Sequence, residues 1–361
     1  MEICTFKKGI IGSMKKYLLK DYISLLEKED LLEELPTSFD FSKLENIEIE
    51  KIAHNSKEVV ANTLYICKGL NYKPSYLQEA IQNGAIFYVA EKENVTNSTF
   101  PHVVVTDIRK ALAAISCMYF DFPAEKINMI GLTGTKGKST TAYYVKSILD
   151  NYMKEHHLPD TAILSSIDTY DGKSLKESLI TSPESIDLQE HVRNSVDSNM
   201  KNFVMEVSSQ ALKLSRVHDV YYKVGAFLNI SEDHISSIEH PNFEDYFESK
   251  LKFFDQVETA CVNLDADFID IILEHSKKAK KVITFSIKNK DADVYGFNIQ
   301  KQGHDAISFR VKTPTFEQDM LLTMPGLFNV ENALATISIA IALDIPFSNI
   351  YEGLKVARAS R

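Results

Sequence analysis

Residues 131–141 read Gly-Leu-Thr-Gly-Thr-Lys-Gly-Lys-Ser-Thr-Thr and follow the apolar run Ile127–Ile130. A strand that stops in a glycine-rich loop ending Gly-Lys-Ser, then opens a helix, is a phosphate cradle. It commits the surrounding chain to a strand–loop–helix unit. Small residues let the backbone N–H groups of Gly134, Thr135, Lys136 and Gly137 close on phosphate oxygens. Lys138 adds a point positive charge, the Ser139 hydroxyl can reach a magnesium ion, and Thr140 continues into the helix. An amphipathic pattern extends that helix over Thr140–Met153, with Ala142, Val145, Leu149 and Tyr152 near one face. The spacing is a variant one. The usual loop has its first glycine five residues before the second, but here Leu132 stands five before Gly137, with glycines three before (Gly134) and six before (Gly131). The competing reading is a structural glycine turn.

A chain of 361 residues accommodates two domains. With 44% hydrophobic and 25% charged residues it has the composition of an ordinary globular protein, and a net charge of -10 argues against nonspecific nucleic-acid binding. Cys4, Cys67, Cys117 and Cys261 are far apart and form no CxxC pair, the usage of reduced structural thiols. Gly9–Ser13 is too short for a secretory signal, Met14 reads as an alternative start, and no run approaches a membrane span. A cytoplasmic protein with no membrane insertion is expected.

Along the chain, residues 14–35 have a helical pattern. Thr63–Cys67, Ala85–Ala90 and Val103–Val105 read as strands, with helices over Tyr76–Asn83 and Ile108–Tyr119. This first α/β unit ends near Phe122-Pro123, where proline breaks the helix. A second unit begins at Lys126, with strands expected at 127–132, 162–164, 202–207, 224–230, 260–263 and 281–285, a mostly parallel sheet flanked by helices. Alternation over 293–323 predicts a small antiparallel region, and a helix follows at Val330–Leu343. The fold class is therefore α/β throughout.

Other residues carry chemistry. Glu206 ends an apolar strand in Phe203-Val-Met-Glu-Val-Ser-Ser209, where an acid is costly unless paired or metal-bound. It can complete a magnesium site with Ser139, or be a salt-bridged core residue. His234, in Asn229-Ile-Ser-Glu-Asp-His234, is a metal or phosphate contact or simply a satisfied polar residue. Lys250, in Tyr246-Phe-Glu-Ser-Lys-Leu-Lys-Phe-Phe254, reads by itself as a surface helix lysine. Asn329 and Asn332, three apart, share a helix face toward a nucleotide, unless Asn329 caps the helix.

Together these segments resemble the Mur ligase family, and within it the tripeptide-forming members. Thr133-Gly-Thr-Lys-Gly-Lys-Ser-Thr-Thr141 is similar to the family's TGTNGKTT, with Lys136 at the usual Asn. Glu206-Val-Ser-Ser-Gln-Ala-Leu-Lys-Leu-Ser-Arg216 resembles EVSSHGLxxxR with Gln210 at the usual His, and Thr181-Ser-Pro-Glu184 resembles TTPE. Asn55-Ser-Lys57 resembles DSR, and Gly326–Asn332 resembles GxFNxxN. Asp233–His240 departs from DHLDxHG, being longer by two residues before Tyr246.

The resemblance implies a substrate domain for UDP-MurNAc at 1–124 and a central ATP-binding domain at 125–361, without the third, amino-acid-binding domain; these residues alone would then bind nucleotide weakly and not complete ligation. It implies an ATP- and Mg2+-dependent amide ligase. Such an enzyme activates UDP-MurNAc-L-Ala-D-Glu as an acyl phosphate and joins it to an amino acid for peptidoglycan synthesis, as a monomer acting on small molecules. Ser139 and Glu206 would hold one metal, and His234 with a carbamylated Lys250 a second. Lys138 and the loop would grip ATP, with Asn329 and Asn332 near the nucleotide. Ser56 and Lys57 would meet the UDP end, and Thr181, Ser182, Ser208 and Arg216 the muramoyl-peptide. Lys138, Lys250 and His234 would be catalytic. The alternatives are another Mur-type ligase with a different acceptor, or a catalytically silent nucleotide-binding module.

Overall fold

The computed structural model describes residues 14–69, 72–178, 180–232 and 239–357. Cys4, the Gly9–Ser13 segment and His234 lie outside the described residues. The chain divides into two compact units, 1–122 and 123–361.

The first unit runs α1 (Leu19–Lys28), β1 (Leu32–Glu34), β2 (Lys51–Ala53), β3 (Thr63–Ile66), α2 (Pro74–Asn83), β4 (Ala85–Ala90), β5 (His102–Val105) and α3 (Ile108–Tyr119). Its sheet has the order β1-β5-β4-β3-β2, parallel except for β1. The helical pattern expected over 14–35 is interrupted. Asp30 adopts φ 57°, which ends α1, and the chain then reverses so that Leu32 and Glu34 pair antiparallel to β5. Asp107 starts α3 by accepting the N–H groups of Arg109 and Lys110.

The second unit runs β6 (Asn128–Thr133), α4 (Lys138–Glu155), β7 (Ala162–Leu164), β8 (Asp168–Tyr170), β9 (Leu175–Glu177), α5 (Ser185–Asp197), β10 (Asn202–Glu206), α6 (Ser209–Lys213), β11 (Tyr222–Phe227), α7 (Phe243–Leu251), β12 (Val257–Asn263), α8 (Ile269–Ser276), β13 (Lys281–Ser286), β14 (Val294–Gln302), β15 (Ala306–Lys312), β16 (Glu317–Leu322), α9 (Leu327–Ala342) and α10 (Phe347–Val356). One 11-stranded sheet has the order β16-β15-β14-β13-β12-β11-β6-β10-β7-β8-β9. Strands from β14 to β7 in that order are parallel, and both edges are extended by antiparallel strands. The short β8–β9 hairpin has no clear apolar alternation, and the sequence did not predict it.

The central strands are apolar on both sides because each face is covered. Ile130, Leu132 and Val204 pack under α4, α9 and α10 with Tyr144, Val330, Leu334 and Ile337. Met129, Phe203 and Met205 pack on the opposite face with Leu188, Tyr222, Tyr246, Phe253 and Phe254. Gly131 belongs to this packing and not to the phosphate loop. It lies beside Gly225 on β11. A Cβ on Gly131 would sit 2.8 Å from Tyr222 Cδ1 and 2.9 Å from Phe253 Cε2. Gly131→Ala is expected to destabilise the unit by about 1–3 kcal/mol, read as a lower urea midpoint at unchanged slope.

The β8–β9 hairpin is fastened to α5 by Asp171, whose side chain is fully buried. Burial pushes this carboxyl up, but hydrogen bonds from His191 and Asn194 and the N–H groups of Ser174 and Lys173 outweigh it and hold it down at about 2. An unfolded aspartate titrates near about 3.9, so the ionised form favours folding by roughly 2 kcal/mol above that pH. That contribution disappears as pH falls through the folded value. Asp171→Asn should therefore be less stable than wild type at neutral pH, with the two urea midpoints converging as pH drops from about 4 to about 2.

Candidate active site

β6 lies inside the run of parallel strands, between β10 and β11, which carry the chain to opposite sides of it across the sheet. The loop leaving β6 thus lies at the switch point where α/β sheets open a crevice. Gly137 takes φ +86°, and a Cβ there would run into the Asn332 side chain. Both the backbone turn and the approach of α9 require glycine. Asn229, two residues beyond β11, clamps the loop: its Oδ1 accepts the N–H groups of Thr135 (3.0 Å) and Lys136 (2.9 Å), and its Nδ2 donates to Lys136 O (2.9 Å). Thr135 Oγ1 lies 3.0 Å from the Tyr246 hydroxyl and accepts the Ser231 N–H at 3.0 Å.

Lys138 Nζ donates to Gly134 O (2.9 Å) and Thr135 O (3.3 Å). Lys250 Nζ donates to the same Gly134 O, also at 2.9 Å. Lys250 is 2% exposed, which corrects its reading as a surface helix lysine: α7 turns this side chain toward the loop. Burial pushes its ammonium well below the ordinary lysine range, and the Lys138 charge pushes the same way. The Tyr246 ring centroid lies 4.9 Å from Lys250 Nζ. Only the free amine is a nucleophile, so this downward shift favours the form of the lysine that adds CO2.

Glu206 is 1% exposed. Its Oε1 accepts the Ser166 N–H (2.8 Å) and hydroxyl (3.2 Å), and the Ser166 hydroxyl lies 3.0 Å from Ser139 Oγ. Among the described residues, no cation pairs with Glu206, so it is not the salt-bridged core residue of the simpler reading. A carboxylate and two hydroxyls form a hard-oxygen set suited to magnesium.

Two clefts meet at the loop. One, of about 430 Å³, is lined by Lys136, Gly137, Thr140, Asn332, the apolar Leu228, Phe285 and Phe328, and the polar Asn229, Asn263 and Glu331. Burial, then the Asp265 charge, raises the Glu331 carboxyl. Asn329 does not cap α9, whose cap position is Gly326. Its Nδ2 donates to Pro325 O, while its buried Oδ1 has no hydrogen-bond partner among the described residues.

The second cleft, of about 220 Å³, is lined by Lys138, Lys250, Ile180, Thr181, Ser182, Ser208, Ser209, Gln210, Arg216 and Glu239. Arg216 donates to Glu184 Oε1 (2.9 Å) and Ser182 O (3.2 Å). The Ser182 hydroxyl donates to Glu206 O, and the Ser208 hydroxyl caps α6 by accepting the Ala211 N–H. Ser56 and Lys57 line a separate cleft in the first unit, with Tyr65, Tyr72, Tyr76, Lys68 and Glu79.

The structure therefore brings Lys138, Lys250, Thr181, Ser182, Ser208 and Arg216 around one cleft, and Lys136, Gly137, Thr140 and Asn332 around the other. Asn229, Ser166 and Tyr246 escaped the sequence reading, and the only signal was that Asn229 and Tyr246 stand in segments already singled out.

These features define a class of α/β fold in which a glycine-rich loop stands between two clefts at the switch point of a mostly parallel sheet. The Mur ligase middle domain family matches residues 132–340. Over 320 residues the chain is 37% identical to the UDP-N-acetylmuramoyl-L-alanyl-D-glutamate--L-lysine ligase of Enterococcus faecalis, covering 86% of this chain and 62% of that one. It is 36% identical over 330 residues to the UDP-N-acetylmuramoyl-L-alanyl-D-glutamate--2,6-diaminopimelate ligase of Alkaliphilus metalliredigens, covering 90% of this chain and 65% of that one. A solved structure of a UDP-N-acetylmuramoyl-L-alanyl-D-glutamate--2,6-diaminopimelate ligase has the same fold, with a TM-score of 0.79 at 17% identity, covering 96% of this chain and 68% of that one. The chain belongs to the Mur ligase family. It spans less than two thirds of the length of the two relatives named.

Proposed function

We propose that this chain is the substrate-binding and ATP-activating part of a ligase that extends UDP-MurNAc-L-Ala-D-Glu by one amino acid in peptidoglycan precursor synthesis. The observation that carries the reading is that a single loop, residues 134–138, forms a wall of both clefts, with Lys138 and the buried Lys250 converging on Gly134 O. A nucleotide in the larger cleft would present its terminal phosphate to the smaller one. The apolar walls of Leu228, Phe285 and Phe328 suit a base, with Asn332 and Asn329 nearby and the loop N–H groups on the phosphates. Thr181, Ser182, Ser208 and Arg216 would hold the muramoyl-peptide, and Ser56 and Lys57 the uridine diphosphate in the first unit, 1–124 in the family's division.

In the first step the D-Glu carboxylate attacks the γ-phosphorus, and the bond to the β-phosphate oxygen breaks, giving an acyl phosphate and ADP. Lys138 offsets charge between the two anions as they approach. Magnesium would supply Lewis-acid charge neutralisation at Ser139 and Glu206. His234 and a carbamylated Lys250 would provide a second set of ligands. In the second step the amino acid's amine displaces phosphate. The enzyme would act in the cytoplasm as a monomer on small molecules.

The test is ADP release by the full-length protein with UDP-MurNAc-L-Ala-D-Glu and a panel of amino acids that includes L-lysine and diaminopimelate. ADP formation dependent on the nucleotide-sugar dipeptide supports the reading, and its absence with every amino acid sinks it. Intact mass spectra at high bicarbonate should add one CO2, removed by Lys250→Arg; an unmodified Lys250 under those conditions counts against the carbamate.

A further inference from the structure

Beside the loop, the smaller cleft carries a second constellation. The imidazole of His240 is fully buried. Its Nδ1 lies 2.6 Å from Asp245 Oδ2, and its Nε2 lies 2.9 Å from Ser209 Oγ. With the Nδ1 proton given to the carboxylate, Nε2 is left as the acceptor of the Ser209 hydroxyl. Ser209 is 7% exposed and lines the cleft opposite neither a helix cap nor an ion pair; it is the neighbouring Ser208 that caps α6. Asp245 is itself anchored by Lys213 Nζ at 2.6 Å, and Lys213 together with the His240 hydrogen bond holds its carboxyl below the usual range. The charged and titratable groups facing the imidazole are Asp245 and Tyr246 from α7 and Lys213 from α6, with Glu239 beside it in sequence; Lys138, Lys250 and Arg216 share the cleft with Ser209.

We propose that Ser209, His240 and Asp245 form the proton relay of the amide-forming step. The inference rests on the ligase reading above. An acyl phosphate in this cleft is electrophilic without help, but the attacking amine must lose a proton, and Ser209 is the cleft-lining hydroxyl that is hydrogen-bonded to a buried imidazole. As the C–N bond forms, the amine N–H proton passes to Ser209 Oγ while the Ser209 hydroxyl proton passes to His240 Nε2. The tetrahedral adduct then collapses, the C–O bond to phosphate breaks, and phosphate leaves with that electron pair, taking a proton from the Ser209 hydroxyl as His240 Nε2 returns its own to Ser209 Oγ. Asp245 fixes the tautomer and stabilises the transient imidazolium. Ser209 is the catalytic hydroxyl; His240 and Asp245 are positioning residues that act through it.

The experiment uses the full-length protein with ATP and UDP-MurNAc-L-Ala-D-Glu, and compares amide formation from the preferred amino acid with hydroxamate formation from hydroxylamine. The hydroxylamine adduct is acidic enough to lose its proton to water, so it depends less on a base. His240→Asn and Ser209→Ala are each expected to lower amide formation by roughly 100-fold relative to hydroxamate formation. Ser209→Ala deletes one hydroxyl and leaves the His240–Asp245 pair in place, which guards against misfolding of the histidine variant. Equal losses with both nucleophiles overturn the relay. A wild-type protein that releases no ADP overturns the ligase reading instead, so the two failures are distinguishable.

Discussion

Lys250→Ala is expected to lower ATP turnover by about a thousandfold, the upper range for deleting one preorganised charge at a phosphoryl-transfer site. The side chain is buried, donates to Gly134 O and stacks over Tyr246, so its removal leaves a small polar hole beside the loop. If the working form is a carbamate, formate or acetate at high concentration should enter that hole and restore part of the rate, because either supplies the missing carboxylate-like oxygens. Lys250→Arg should not be rescued, since the guanidinium fills the space and keeps its charge. The measurement is ADP release with and without added carboxylate. Rescue of the alanine variant alone supports the anionic role. Near-normal turnover without any addition would reduce Lys250 to a packing residue.

Glu206→Gln carries the second large effect. The amide oxygen can still accept from Ser166, so the hairpin entry and the end of β10 should keep their geometry. What is lost is the negative charge next to Ser139. Turnover is expected to fall by at least about 100-fold, and the magnesium concentration for half-maximal rate to rise. A melting temperature close to wild type with that kinetic loss separates a metal role from a structural one. If Glu206→Gln left the magnesium dependence unaltered, the Ser139–Ser166–Glu206 chain would be a packing feature of the strand ends.

Much of the fold was legible because its signals are local. Short apolar runs bounded by turn residues located most of the strands flanking β6, and strand Ala85–Ala90 and helix Ile108–Tyr119 fall where the sequence placed them. The reading failed where distant pairing overrode local pattern. Leu32–Glu34 became a strand because β5 offered it an edge, and the β8–β9 hairpin has polar residues whose partners, such as the Asp171–His191 pair, lie 20 positions away.

The candidate site divides the same way. The amino-acid order alone determined a glycine-rich turn, its lysine and hydroxyl, and an acid at the end of a strand. These follow from φ requirements, small side chains and the cost of a carboxylate in an apolar run, all of which act within a few residues. Only the tertiary structure decided that Gly131 serves core packing, that Ser166 joins Ser139 to Glu206, that Asn229 holds the loop, and that Lys250 is buried. Lys250 and Gly134 are 116 residues apart in the chain, yet one hydrogen bond joins them. Burial and the field of Lys138 push that lysine's ammonium below its ordinary range, and both depend on strand order, which no local pattern contains.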